Sequence, residues 1–233
     1  MKRFYKVVGV DHTPEGFRIL LDGKPVATPG RRTLLLPTQA LALAIAEEWR
    51  AQGEDIKPVS MPMLRMANTT QDGIGATRDA VIAAILRFGE HELLCYRAQS
   101  PAELAALQAA EWDPMLEWVY SRHGVRLATT IGVVHFEQPP EALARLREAV
   151  AAHSDYGLAA LHVVASITSS LVLALALAEG AINPAQAFQL SRIDESYQAS
   201  LWGEDAGAVA RARGLAREMD VAAAFLIASR DAI

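Results

Sequence analysis

One apolar stretch, Leu158 to Ala178, limits what this 233-residue chain can become. It is long enough to cross a bilayer, so the first question is whether it does. His162, Ser166, Thr168, Ser169 and Ser170 cluster at its middle, and no basic flank follows to hold it at an interface. The stretch therefore reads as a helix over about 158–179, buried in a protein core. Around it the pattern predicts a helical bundle with further helices at about 141–153, 184–202 and 206–230. Pro139-Pro140 and Asn183-Pro184 supply start signals for two of these.

The front of the chain is different. Phe4 to Val10 is rich in strand formers, Gly16 to Leu21 follows, and Asp22-Gly23 between apolar runs is a hairpin signal because both residues tolerate positive φ. Pro25 to Thr28 is the expected return strand, and Thr33 to Leu36 a further one. The period then lengthens. Thr38 is a candidate N-cap for a helix through Gln52, with Leu41, Ile45 and Trp49 on one stripe and Gly53 beyond its end. A short helix is expected at Met61-Pro62-Met63-Leu64-Arg65-Met66 and another from about Ile74 to Phe88, with a short strand at Leu93 to Arg97.

From Ser100 the chain turns mainly helical. Ser100-Pro101-Ala102-Glu103 has the form of a capping box with proline at the first helical position. Pro114 is expected to kink or restart that helix, which ends near His123-Gly124, and Val125 to Phe136 reads as a strand or hairpin. A β-containing front and a helical rear make an α+β protein. Two lobes are expected, a mixed one over 1–98 and a mainly helical one over 99–233.

Composition narrows the function. The hydrophobic fraction of 52% can fill one large core or two modest ones. A net charge of -5 and scattered arginines argue against a nucleic-acid binder, which needs a basic face to displace counterions. Cys95 is the single cysteine, so an internal disulfide is excluded and a reducing compartment is expected. MKRFYKVVGV alternates like a strand rather than a signal or transit peptide, so the cytoplasm is expected for a bacterial protein and the mitochondrial matrix for a eukaryotic one.

Catalytic constellations are hard to find. There is no phosphate-cradling G-x-x-x-x-G-K-[ST], no H-E-x-x-H, no C-x-x-C and no G-x-S-x-G. Gly73-Ile74-Gly75 lacks the third glycine of a dinucleotide loop. The six histidines are dispersed, and neither His91-Glu92 nor His153-Ser154-Asp155 has the i, i+4 spacing that sets two ligands on one helix face. Glu111, Asp113 and Glu117 around Trp112 and Trp118 read as a solvated helix face. The Met-rich piece suits either a core or an adaptable binding surface.

The most informative segment lies near the end. With 183–202 on a single helix, Leu190, Ile193, Tyr197 and Leu201 fall in a narrow arc that would face the core. Trp202 falls on the flank beside Glu195 and Gln198, a combination common on protein-recognition surfaces. Gly203 can end the helix in a positive-φ conformation, and Asp205 is a candidate N-cap for the last helix. A helical hairpin would then carry Trp202, Glu204 and Asp205 at its tip, where the indole either meets a partner or packs against the neighbouring lobe while the acids only cap.

DESYQASLWGED, from Asp194 to Asp205, resembles the hallmark of the mitochondrial and proteobacterial ATP synthase assembly chaperones of the Atp-twelve type. RFYKVVGV at Arg3, LDGKPVATPGRRTLLLP at Leu21, AIAEEWRAQGEDIKPVSMPMLRMANTTQD at Ala44 and LLCYRAQSPAELAALQAAEWDPMLEW at Leu93 resemble the same family in the same order. The resemblance implies a non-catalytic chaperone that holds the free alpha subunit of the F-type ATP synthase head until beta subunits arrive. It also implies a mixed front lobe, a helical rear lobe, a monomer, and no cofactor, metal or membrane insertion. Carried over by position, Asp194, Glu195, Gln198, Trp202, Glu204 and Asp205 are the candidate partner-binding residues, with Glu195 and Trp202 foremost. The competing reading is a soluble enzyme of unrecognised type acting on a small molecule, which would need converging titratable groups in a deep polar pocket.

Overall fold

The computed structural model describes residues 1–230. The fold is α+β, with a small antiparallel sheet at the front and helices through the rear. Two compact units are present, one made of Met1–Arg78, Ser154–Ala160 and the chain from Ala224, the other of Asp79–His153 and Leu161–Ala223.

In the first unit β1 (Val8–Thr13), β2 (Gly16–Leu21) and β3 (Lys24–Pro25) form a sheet in the order β1-β2-β3. The register runs antiparallel from Val8↔Leu21 to Thr13↔Gly16. Asp22-Gly23 makes the expected turn, with φ of 46° and 79°. Its carboxylate accepts hydrogen bonds from the backbone of Val7 (2.8 Å) and Lys6 (3.0 Å), which hold its pKa below the usual range. These bonds occupy the residues read as strand, so β1 starts only at Val8. The return strands are also shorter than expected: past Pro25, pairing is limited to bridges at Ala27↔Thr33 and Phe17↔Leu36.

The helix α1 (Gln39–Arg50) packs on β1 and β2 through Leu41, Ile45 and Trp49, and Thr38 caps it by accepting from Leu41 N at 3.1 Å. The helix α2 (Pro62–Thr69) begins where the Met-rich piece was expected to, and Met61 is buried beneath it. Its free N-terminal amides at Met63 and Leu64 donate to the Glu48 carboxylate at 2.8 and 2.9 Å. A π turn, Thr70–Ile74, then leads into α3 (Gly75–Glu90). That turn acts as a clamp. Asp72 accepts from Thr28 Oγ1 and Gly30 N, each at 2.7 Å, and pairs with Arg32 at 2.8 Å. Gln71 accepts from Leu35 N at 2.8 Å and donates to Thr33 O at 2.6 Å. A Cβ on Gly30 would stand 2.7 Å from the Asp72 carboxylate, so this close approach needs glycine.

The second unit contains β4 (Tyr96–Arg97) and β5 (Thr130–Ile131), paired in parallel rather than as a hairpin. Leu93–Cys95, expected to start a strand, is a 3-10 turn. The helix α4 (Ala102–His123) runs unbroken through Pro114 and ends on Gly124 at φ 66°. Its N-cap is Pro101, which has no side-chain acceptor, so the expected capping box is absent. The remaining helices are α5 (Pro140–Ala151), α6 (Asp155–Thr168), α7 (Leu171–Ala178), α8 (Pro184–Leu190), α9 (Ile193–Trp202) and α10 (Ala206–Ala228).

The apolar stretch is thus two helices, not one. Ser169 takes φ 54° and Ser170 caps α7 by accepting from Leu173 N at 3.0 Å. The end of the polar cluster that argued against a membrane span, Ser169-Ser170, is the break, while His162 and Ser166 lie on the exposed face of α6. Every residue of α7 is buried, against α4 and α8 among others. No helix among the described residues is long and apolar enough to cross a membrane.

The first turn of α7 brings unpaired amides into the core, and Glu92 answers them. Its carboxylate accepts from Leu171 N at 2.9 Å and Val172 N at 3.1 Å, and the residue is wholly buried. Burial outweighs these bonds and pushes the carboxyl up to about 7 from 4.5. The folded chain therefore binds this proton more tightly than the unfolded chain does. The associated stability is complete below about pH 4.5 and is lost as pH rises through about 7. The shift corresponds to about 3 kcal/mol. Urea unfolding across this range is expected to show the loss in the wild type, while Glu92→Gln, which cannot titrate, lacks that component.

Candidate functional site

The hairpin of α9 and α10 is held at its base and free at its tip. At the base, Ile193 is buried, and the carbonyl of Leu190 accepts from Trp112 Nε1 at 2.8 Å. Gln108 is buried, accepting from Ala98 N at 2.7 Å and donating to Asp194 Oδ1 at 2.6 Å. Asp194 is therefore an anchor of the first turn of α9, already engaged within its own chain.

The helix expected over 184–202 is broken at Ser191-Arg192, where Arg192 takes the non-helical pair φ -124°, ψ 24°. A single projection across that break fails, because Leu190 belongs to α8 while Ile193, Tyr197 and Leu201 belong to α9. Of the predicted core stripe only Ile193 is buried. Tyr197 is half-buried and Leu201 is 56% exposed, so the apolar character of α9 continues beyond its packing partner.

Trp202 is 78% exposed and ends α9. Gly203 turns the chain at φ 85°, and Asp205 caps α10 by accepting from Ala208 N at 2.7 Å. Glu195, Gln198, Glu204 and Asp205 are all exposed as well. Glu195 makes an exposed pair with Arg192 at 3.3 Å, and Asp205 a loose one with Arg211 at 3.9 Å. Between α9 and α10 runs a groove of about 370 Å³ floored by Ala199, Ser200, Ala208 and Ala212, with Glu195 and Glu204 at its sides. Of the six sequence-predicted residues, Glu195, Gln198, Trp202, Glu204 and Asp205 are exposed, three of them (Glu195, Glu204 and Asp205) line this groove, and Asp194 is half-buried.

Nothing in this arrangement resembles reaction machinery. No cluster of three or more metal-ligating side chains occurs among the described residues. Glu92 and Cys95, both with strongly raised pKa values, are fully buried and line neither groove beside α9. Sequence reasoning missed the second of those grooves, between α4, α8 and α9. Its one legible signal was Pro114 inside a helix.

The model of the ATP12 chaperone protein family matches residues 2–120. This chain belongs to the ATP12 chaperone family. The ATP12 family consists of chaperones for ATP synthase assembly, so the partner implied is a subunit of that complex. The crystal structure of Atp12 from Paracoccus denitrificans superposes with a TM-score of 0.95 at 41% identity, covering 98% of both chains. A protein of Agrobacterium tumefaciens matches with a TM-score of 0.94 at 44% identity, over 98% of this chain and 86% of that one. The atp12 protein of Schizosaccharomyces pombe, named as mitochondrial, is 24% identical over 88% of this chain and 75% of its own length. The ATP12 family model ends within α4, whereas the superposed structures also cover the α9–α10 hairpin.

Proposed function

We propose that this protein binds the unassembled alpha subunit of the ATP synthase head and yields it to beta subunits. The observation that carries the reading is Trp202, 78% exposed at the end of α9 beside Leu201. An indole in water gains more from a covering partner than almost any other side chain, and hot spots of protein interfaces are enriched in it. An unassembled alpha subunit leaves neighbour-facing apolar surface uncovered, and such surface self-associates unless shielded.

Glu195, Gln198, Glu204 and Asp205 would supply the polar part of the contact. Exposed charges of this kind contribute little affinity each, which suits a chaperone that must let go. Asp194 contributes by fixing the direction of α9. The protein acts as a monomer without cofactor. Co-expression with tagged alpha subunit, followed by pull-down with and without beta, tests the reading. Recovery of this chain with alpha alone, and its loss when beta is added, is the expected result. Failure to recover it with alpha, or retention after beta has joined, would sink the proposal.

A further inference from the structure

The groove between α4, α8 and α9 has a volume of about 530 Å³ and adjoins the hairpin groove along α9, with Ser196 lining both. Much of its wall is apolar, formed by Leu107, Met115, Ile182 and Ile193. Its only formally charged lining residue is Glu111, which is exposed and has no ion pair among the described residues. A second acceptor comes from covalent structure. Pro114 lies inside α4 and has no N–H, so the Ala110 carbonyl lacks the helical donor normally supplied four residues on. Ala110 and Pro114 are both exposed and both line the groove. An apolar trough therefore carries a carboxylate and, on the adjacent residue, a carbonyl that lacks its i+4 donor.

We infer that this groove docks an arginine side chain of the partner, with its guanidinium on Glu111 and the Ala110 carbonyl and its methylene stem along Leu107 and Met115. Charge complementarity selects a cation. The planar fork of arginine can donate to both acceptors at once, whereas lysine matches the charge without the geometry. The stem matches the apolar wall. A carboxylate here would face Glu111 with no cation nearby. The inference rests on the partner-binding reading but concerns a different surface from the Trp202 tip.

The test uses three blocked helical peptides of Ala, Gln and Leu that differ only in one central Arg, Lys or Glu. Each is titrated against the intact protein. The Arg peptide is expected to bind at least about tenfold more tightly than the Glu peptide, with Lys between them. Glu111→Gln should weaken the Arg peptide about fivefold to tenfold. Pro114→Ala returns an N–H to the Ala110 carbonyl, so it should raise Tm and yet weaken the Arg peptide severalfold. That pairing separates lost recognition from lost folding. Equal binding of the three peptides, no detectable Arg binding, or indifference to Glu111→Gln overturns the inference. So does a dimer in sedimentation that Glu111→Gln dissolves, since a second copy would then fill the groove. Parallel capture of alpha subunit distinguishes the two readings. Capture by wild type and equally by both variants refutes the groove alone, whereas Arg-peptide binding without alpha capture refutes the partner.

Discussion

Trp112→Ala is expected to lower stability by about 3–5 kcal/mol, the usual cost of deleting a large aromatic from a packed core. Trp112 is 1% exposed, and no rearrangement of neighbouring side chains can readily fill the volume it vacates. Two further losses accompany the cavity. The Leu190 carbonyl loses the indole donor at 2.8 Å, and the Arg97 guanidinium, 5.4 Å from the ring centroid, loses its aromatic face. Because Leu190 ends α8 immediately before the break that starts α9, the variant should also loosen the base of the hairpin. Urea unfolding should show a strongly lowered midpoint. Trp112→Phe, which keeps much of the volume and loses the donor, should cost distinctly less.

Trp202→Ala should behave in the opposite way. The side chain is 78% exposed, so its removal leaves no cavity, and the change in stability should stay within about 0.5 kcal/mol. Affinity for the alpha subunit should fall by about 2–4 kcal/mol, roughly thirtyfold to a thousandfold, as for an aromatic anchor at the centre of an interface. Calorimetric titration paired with a thermal melt measures both. A large fall in Tm would mean that the indole packs against its own chain. An unchanged affinity would place the interface elsewhere.

Much of this architecture could be read from local chemistry. Thr38, Asn183-Pro184 and Asp205 cap through bonds to residues a few positions away, and Asp22-Gly23 turns the chain through its own positive φ angles, so their roles show in the sequence. The errors arose where tertiary partners decide. Apolar periodicity continued smoothly from Leu158 to Ala178, but Glu92, far away in the chain, supplies acceptors to a new helix start at Leu171. Periodicity likewise bridged Ser191-Arg192 and assigned Leu201 to the core, where it is 56% exposed. The helical projection placed Glu195, Gln198 and Trp202 on one flank but left open whether the indole is exposed, because that depends on what packs against α9. The Gln108–Asp194 anchor and the Leu107–Pro114 groove required knowing what α4 faces, which no spacing rule provides.

If the tip of α9 shields an unassembled ATP synthase subunit, it should keep that subunit from aggregating. Light scattering of alpha subunit diluted out of denaturant, with and without an equimolar amount of this protein, tests it most directly. The wild type should suppress the rise in scattering, Trp202→Ala should suppress it poorly while remaining fully folded, and added beta should restore free chaperone. Scattering that rises equally with and without the wild-type protein would contradict the account.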